Sequence, residues 1–532
     1  MLLIFVAIRD ASYLFSYPVA VGADGYYYVL QINELLKNHH LYYPSNTPIV
    51  FWILAALTFV TKNAVVAIKL GSIAFNLCLC SAFFVLVSAI TRRQWLGVLG
   101  ACIVGLSGMH LYMIAEFIKN LAGIAFFVLG AWCAIRAFES YRARWFAASI
   151  FLLACATLSH ASIWIIAPIT SVFVLITRDL KSKKRAMLVA ALMVCLGLMG
   201  SALLAYQEVF PLPAWLATEV THIRFPITLR NPVGKAEAFM LLLTVPLVIF
   251  LTLRHWNEVH NRSFRVVVLT VSLWTLLITL NPFLNHDVTQ LGIVGRLDHL
   301  MYLQIAILVP AVIYLALGAN KKVAVIYSVL TIFFVIASMA APLPKGIRSS
   351  YLAERQQIIE ALSLRLPQLG PDALVVAQHG DEFLVTSLLG IRAQQTLPAS
   401  SAGKSIYWMI HQVKPNAVTT DMVVVMEEEN GSALVLMKHD DMAQWITILN
   451  ERDRNQLWEA NPHLKKYMDD QSKSHTTTLS PSHRWSVPGE TAHRVQHLPG
   501  RLVSTTFSIT FLGQEYPQDL FQTTFIRPTK TG

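Results

Sequence analysis

Hydrophobic residues fill the first two thirds of this chain in long blocks, and short polar stretches separate them. Apolar runs at or near span length cover 64–90, 95–114, 121–138, 145–159, 162–177, 186–205, 237–253, 266–281, 300–318 and 323–341. A helical bilayer crossing takes about 20 such residues. A weaker run over 1–17, interrupted by Arg9 and Asp10, brings the set to eleven. It does not read as a cleavable signal peptide, and a natural start upstream of Met1 is compatible with it. The pattern therefore predicts an α-helical polytopic membrane domain over 1–342 with about 11 transmembrane helices.

Beyond 342 the blocks end. Residues 351–366 have helical periodicity, 372–378 read as a buried strand, and 422–438 read as a hairpin turning at Asn430-Gly431. These predict a small α/β domain over 343–467. From 468 the chain is rich in Ser, Thr, His and Pro, so 468–532 reads as a mostly irregular C-terminal segment.

Lys and Arg set the expected orientation. The loops 91–93, 136–144, 178–185, 254–265 and 320–322 hold fifteen of them, whereas the intervening loops, although longer, hold seven. The positive-inside rule puts those five loops in the cytoplasm. The N-terminus is then cytoplasmic, and the first loop, 18–63, and the α/β domain lie on the opposite, periplasmic side. The first loop carries two further apolar patches, "YYYVLQINELLKNHHLYY" and "TPIVFWILAALTFV". Both read as helices in the membrane interface, because a crossing at 47–60 would move 91–93 to the outside. The alternative is a short true span there.

Composition agrees with this layout. The chain is 55% hydrophobic and 14% charged, with mean hydropathy +0.52, where a soluble protein carries roughly a quarter charged residues. The net charge of +11 sits mainly in the short loops, which argues against nucleic acid. All six cysteines (Cys78, Cys80, Cys102, Cys133, Cys155, Cys195) fall in apolar runs without disulfide or metal spacing.

Ionisable residues at a membrane face are costly unless paired or hydrated, which makes each a functional candidate. Asp24 in "GADGYYY" is a candidate catalytic carboxylate, a general base for an acceptor hydroxyl or a metal ligand; the alternative is an N-cap for the helix starting near Tyr26. Glu116 shares a face with it, and two carboxylates in one cavity suit Mg²⁺ or Mn²⁺. Glu116 is otherwise a surface residue paired with Lys119. Lys119, His160 in "TLSHAS" and Arg296 in "GIVGRLDHL" are candidate contacts for a substrate phosphate. The alternatives are a structural hydrogen bond for His160 and pairing with Asp298 for Arg296. Glu208, His222, Arg224, Arg230 and Lys235 in the 206–236 loop could cover a headgroup or substrate. Asp381 in "AQHGDEF" reads as a helix cap, with a catalytic carboxylate as the alternative.

One resemblance runs through 18–180. "ADGYYYVLQI", "PSNTPIVFWILAALTFV", the stretch 92–137 and the "LSHAS" turn together resemble the integral-membrane glycosyltransferases of the GT-C class, which include the protein O-mannosyltransferases and RgtA-like bacterial transferases. "GRLDHLMYLQIAILVP" resembles the Arg-bearing start of a late span in such enzymes. The resemblance implies a GT-C-like membrane domain, a polyprenyl-phosphate sugar as donor, inverting transfer on the non-cytoplasmic face, and an acidic residue of the first outer loop acting on the acceptor. Asp24 falls on that position, and Glu116 falls where some members carry a second acidic ligand. The chain departs from the class in lacking "WWDYG", which argues against transfer to Asn, and in reading "TP" where several members have "PP". Many members need no metal.

The expected function is thus transfer of a sugar from a lipid-linked donor to a glycan, lipid or protein, in a multi-pass protein of the inner (plasma) membrane. A lipid or solute transporter would place ionisable residues mid-span and break its helices. The runs from 95 onward carry few such residues. A non-catalytic membrane scaffold is the other alternative.

Overall fold

A computed structural model describes residues 1–160, 163–178, 232–257, 261–280, 300–340, 343–365, 369, 372–397, 405–419, 422–428 and 431–478. The chain divides into two compact units, Met1–Leu352 and Ala353–Gly532. This boundary lies just past the one expected at 342. The reason is a 3₁₀ turn, Lys345–Ile347, whose Gly346 carbonyl accepts a hydrogen bond of 3.1 Å from the amide of Gly22.

The described helices of the first unit are α1 (Leu2–Leu14), α2 (Gly25–Asn38), α3 (Ile49–Thr61), α4 (Ala64–Thr91), α5 (Gln94–Leu106), α6 (Gly108–Glu116), α7 (Ile118–Ser140), α8 (Ala143–Thr157), α9 (Ile163–Arg178), α10 (Pro232–Arg254), α11 (Arg262–Trp274), α12 (Met301–Ala319) and α13 (Lys321–Met339). Each expected apolar run falls on one or more of these, except 186–205, which lies outside the described residues. Among the described residues six helices are long and apolar enough to cross a membrane, or seven if the bent pair α5–α6 counts as one span. The expected count of eleven is not reached among the described residues, because α1, α8 and α9 span only 13, 15 and 16 residues.

Sequence chemistry accounts for the boundaries. Asn63 starts α4 by accepting a hydrogen bond of 3.1 Å from the amide of Val66. α12 is apolar all round and is the most enclosed of the spans, with 83% of its apolar window buried; it packs on α4, α5, α10, α11 and α13. α13 keeps 28% of its window buried and exposes Val325, Ile326, Ile332 and Phe333, the composition of a lipid-facing stripe. After α11 a π-turn, Thr275–Thr279, presents two hydroxyls to one amide on α12. Thr275 Oγ1 donates to Gln304 Oε1 at 3.0 Å, and Gln304 Nε2 donates to Thr279 Oγ1 at 2.7 Å.

The run 95–114 is not one straight helix. α5 and α6 meet at an angle of 59°. Ser107 leaves the helical region at φ −60°, ψ 142° and restarts the chain as N-cap of α6. A break inside a bundle frees backbone amides that need partners. Ser107 Oγ accepts from Met109 N at 3.1 Å, and Ser338 Oγ of α13 accepts from Gly108 N at 2.9 Å.

In the second unit α14 (Ser349–Arg365) leads from the first unit into a five-stranded sheet. Its strands are β1 (Ala373–Val376), β2 (Arg392–Gln394), β3 (Ser405–Val413), β4 (Met422–Glu427) and β5 (Ala433–Lys438), in the order β2-β1-β3-β5-β4. β1 runs parallel to β2 and β3; the expected hairpin is the antiparallel pair β4–β5. Helix α15 (Asp381–Leu389) connects β1 to β2, and α16 (His439–Ile448), α17 (Glu451–Ala460) and α18 (Pro462–Thr478) follow the sheet. α18 carries helix ten residues and more into the segment expected to be irregular, because Leu464 and its neighbours still pack on the sheet's apolar core.

Candidate functional site

The residues around Asp24 are held by the chain on both sides of it. Asp24 stands at the N-cap position of α2, yet its side chain makes no capping hydrogen bond. Capping therefore does not account for the carboxylate. The preceding turn is fixed instead by Glu116, the last residue of α6, whose Oε2 accepts a hydrogen bond of 2.8 Å from the amide of Ala23. Gly22 adopts φ +77° and lies so close to α6 that a Cβ there would collide with the carbonyl oxygen of Ala115 and stand 2.9 Å from Glu116 Oε2. A Cβ on Gly346 would collide with Glu116 Oε1. Two glycine turns thus grip one carboxylate. Gly22→Ala meets both a strained φ and a backbone collision, so it is expected to lower stability by about 2 kcal/mol. Thermal unfolding in detergent checks this; an unchanged melting temperature would mean that the turn sits elsewhere.

Next to this clamp lies Lys119, in the first turn of α7 and 5% exposed. Its Nζ donates to Ser45 Oγ at 3.3 Å and stands 4.9 Å above the Phe51 ring, and its amide donates to Tyr28 Oη at 3.4 Å. Tyr27 stacks on Tyr43 at 6.1 Å and meets Phe51 edge-on at 5.8 Å. The phenol of Tyr28 is pushed well above its ordinary value, first by burial, then by the charges of Asp24, Tyr27 and Glu116. Asp24, Glu116 and Lys119 are therefore drawn together by the fold, beside a wall of aromatic rings.

His160 sits at the turn after α8 and is 7% exposed. Leu158, in that turn, accepts from the amide of Ile49 at the start of α3 at 3.2 Å. A Cβ on Gly123, one turn beyond Lys119 in α7, would touch Ser159 at 3.4 Å. The His160 turn thus lies at the same end of the bundle as Lys119. Arg296 and Asp298 lie outside the described residues, as do Glu208, His222, Arg224 and Arg230. Lys235 falls in the first turn of α10.

The donor set offers little to a metal ion. Glu116 is engaged by a backbone amide, and among the described residues no group of three or more His, Cys, Asp or Glu is placed to hold one. The Mg²⁺ or Mn²⁺ expected at Asp24 and Glu116 therefore gains no support from the geometry.

Asp381 differs from its expected role. The N-cap of α15 is Gly380 at φ +97°, and Asp381 is the first helical residue. Its carboxylate pairs with His411 Nε2 at 3.0 Å and Arg355 Nη1 at 3.3 Å.

Sequence reasoning missed Tyr28, Ser45, Gly22 and Gly346 as parts of the site. The flanking glycines of "GADGYYY" signal a close approach, but nothing local says that residue 346 meets residue 22. Nor did it give a role to Ser107 and Glu237. Ser107 Oγ donates to Glu237 Oε1 at 2.9 Å, and Glu237 is fully buried. Glu237, His110 and Asp10, with His110 Nε2 3.6 Å from Asp10 Oδ2, put more ionisable groups inside the bundle than the apolar runs suggested.

No curated protein matches the chain. Glu116, Lys119 and His160 lie, and Asp24 and Arg296 do not, within the segment 45–203, which matches the family model of the dolichyl-phosphate-mannose-protein mannosyltransferases and supports a membrane glycosyltransferase.

Proposed function

We propose that the chain transfers a sugar from a polyprenyl-phosphate donor to an acceptor hydroxyl at the non-cytoplasmic face of the inner membrane, with Asp24 as the general base. The observation that carries this is the Ala23–Glu116 hydrogen bond of 2.8 Å, which sets the Asp24 turn beside Lys119. The acceptor O–H gives its proton to Asp24 as its oxygen bonds to the anomeric carbon. The anomeric C–O bond to phosphate breaks with its electron pair, and polyprenyl phosphate leaves. Lys119, with Arg296 and His160, meets the charge that develops on the leaving phosphate. The Tyr27, Tyr43 and Phe51 rings form an apolar wall suited to a sugar face or the first isoprene units.

The test uses the full chain in proteoliposomes with a polyprenyl-phosphate donor carrying a radiolabelled sugar and a panel of hydroxyl acceptors. Acceptor-dependent release of polyprenyl phosphate is expected. Donor left intact with every sugar tried would overturn the proposal.

A second reading, transport, draws on the break between α5 and α6 and on the buried Asp10, His110 and Glu237. It predicts flux of a lipid or solute across the same proteoliposomes with no chemical change in it.

A further inference from the structure

α6 is a rod of nine residues, roughly 13 Å long at 1.5 Å per residue. Its far end, Glu116, holds the Asp24 turn through Ala23. Its near end begins at the break, where Ser107 and three other helices supply side-chain partners. Ser107 Oγ donates to Glu237 Oε1 of α10 at 2.9 Å, Gly108 N donates to Ser338 Oγ of α13 at 2.9 Å, and His110 Nε2 lies 3.6 Å from Asp10 Oδ2 of α1. Ser107 ties α6 to α10, since the same hydroxyl oxygen accepts from Met109 N of α6. A hydroxyl that donates in one direction and accepts in the other fixes the angle between the two helices more tightly than packing alone. Tilt at one end of a rigid helix appears as displacement at the other.

We propose that Glu237 is a positioning residue. Its hydrogen bond with Ser107 sets the direction of α6, and α6 in turn sets Glu116 and the Asp24 turn. The catalytic half of this statement rests on the reading of Asp24 as the base; the mechanical half does not.

Two variants separate the possibilities. Glu237→Gln keeps an acceptor oxygen for Ser107; Glu237→Leu fills the same space with none. In the full chain, Glu237→Leu is expected to lower kcat roughly 10- to 100-fold, the penalty of a small misplacement away from the chemistry, with KM for the lipid donor little changed. Glu237→Gln is expected to restore most of that loss. Hydrogen exchange over Val21–Tyr28 supplies a readout free of any assumed reaction: the Ala23 amide is expected to exchange about tenfold faster in Glu237→Leu and at the wild-type rate in Glu237→Gln. Unchanged exchange in Glu237→Leu would overturn the proposal, as would a Glu237→Gln variant that exchanges as fast as Glu237→Leu. If wild type turns over no donor, the transferase reading fails while the exchange result still decides the mechanical one.

Discussion

Asp24→Asn is expected to lower sugar transfer by about 10²- to 10⁴-fold, the usual contribution of a positioned general base. The substitution is nearly isosteric, and Asn serves an N-cap as well as Asp does. The native side chain makes no capping hydrogen bond in any case. The fold of α2 should therefore survive, and the melting temperature in detergent should stay within the experimental error of wild type. Release of polyprenyl phosphate by the purified variant, compared at equal folded protein, measures the effect. A variant that transfers at the wild-type rate would remove Asp24 from the chemistry and leave it as the residue that precedes α2. A variant that is inactive and unfolded would point to the turn itself, which the Gly22 substitution probes separately.

The second large effect is expected in the sheet unit and concerns stability. His411 of β3 is held between two carboxylates, Asp381 at 3.0 Å from Nε2 and Glu428 at 3.1 Å from Nδ1. Burial works against its charge, but hydrogen bonds to Asp381 and Glu428 outweigh it and raise the imidazole to about 9. Burial pushes Asp381 up, but its hydrogen bond and charge pairing with His411, helped by Arg355 and Gln378, bring it down to about 2. A raised folded-state pKa means that the His411 contribution is complete below about 6.5, the unfolded value, and is lost as pH rises through 9. A depressed one means that the Asp381 contribution is complete above about 3.9 and is lost as pH falls through 2. The sheet unit should thus be most stable between about pH 4 and 6.5 and weaken by about 3 kcal/mol toward pH 10. His411→Ala leaves the buried Asp381 and the half-buried Glu428 each short of a partner and should cost about 3 kcal/mol at neutral pH. It should also flatten the alkaline decline. Hydrogen exchange of β3 and β5 peptides in the full chain, corrected for intrinsic rates, checks both. Equal protection at pH 5.5 and 9.5 in wild type would refute the assignment.

Much of the helical framework was legible because burial in a bilayer writes itself as long apolar runs. The break at Ser107 was not. "VGLSGMH" contains no proline, and the partners that make the break tolerable, Glu237 and Ser338, are more than a hundred residues away. In the sheet unit β1 and the β4–β5 hairpin could be read, the latter from the Asn-Gly turn signal. β3 was overlooked, although "SIYWMIHQV" is rich in β-branched and aromatic residues. Asp24, Glu116 and Lys119 stood out as charges at the ends of apolar runs. Their mutual placement depends on Gly22 and Gly346, and no local pattern pairs positions so far apart.

The Gly22–Gly346 contact also bears on how the protein can be cut. A truncation made at the end of the last apolar helix, where hydropathy falls, would discard the carbonyl that receives the Gly22 amide at 3.1 Å. An autonomous membrane fragment would have to keep the short coil through Arg348, since that coil belongs to the first compact unit although hydropathy alone would cut it away.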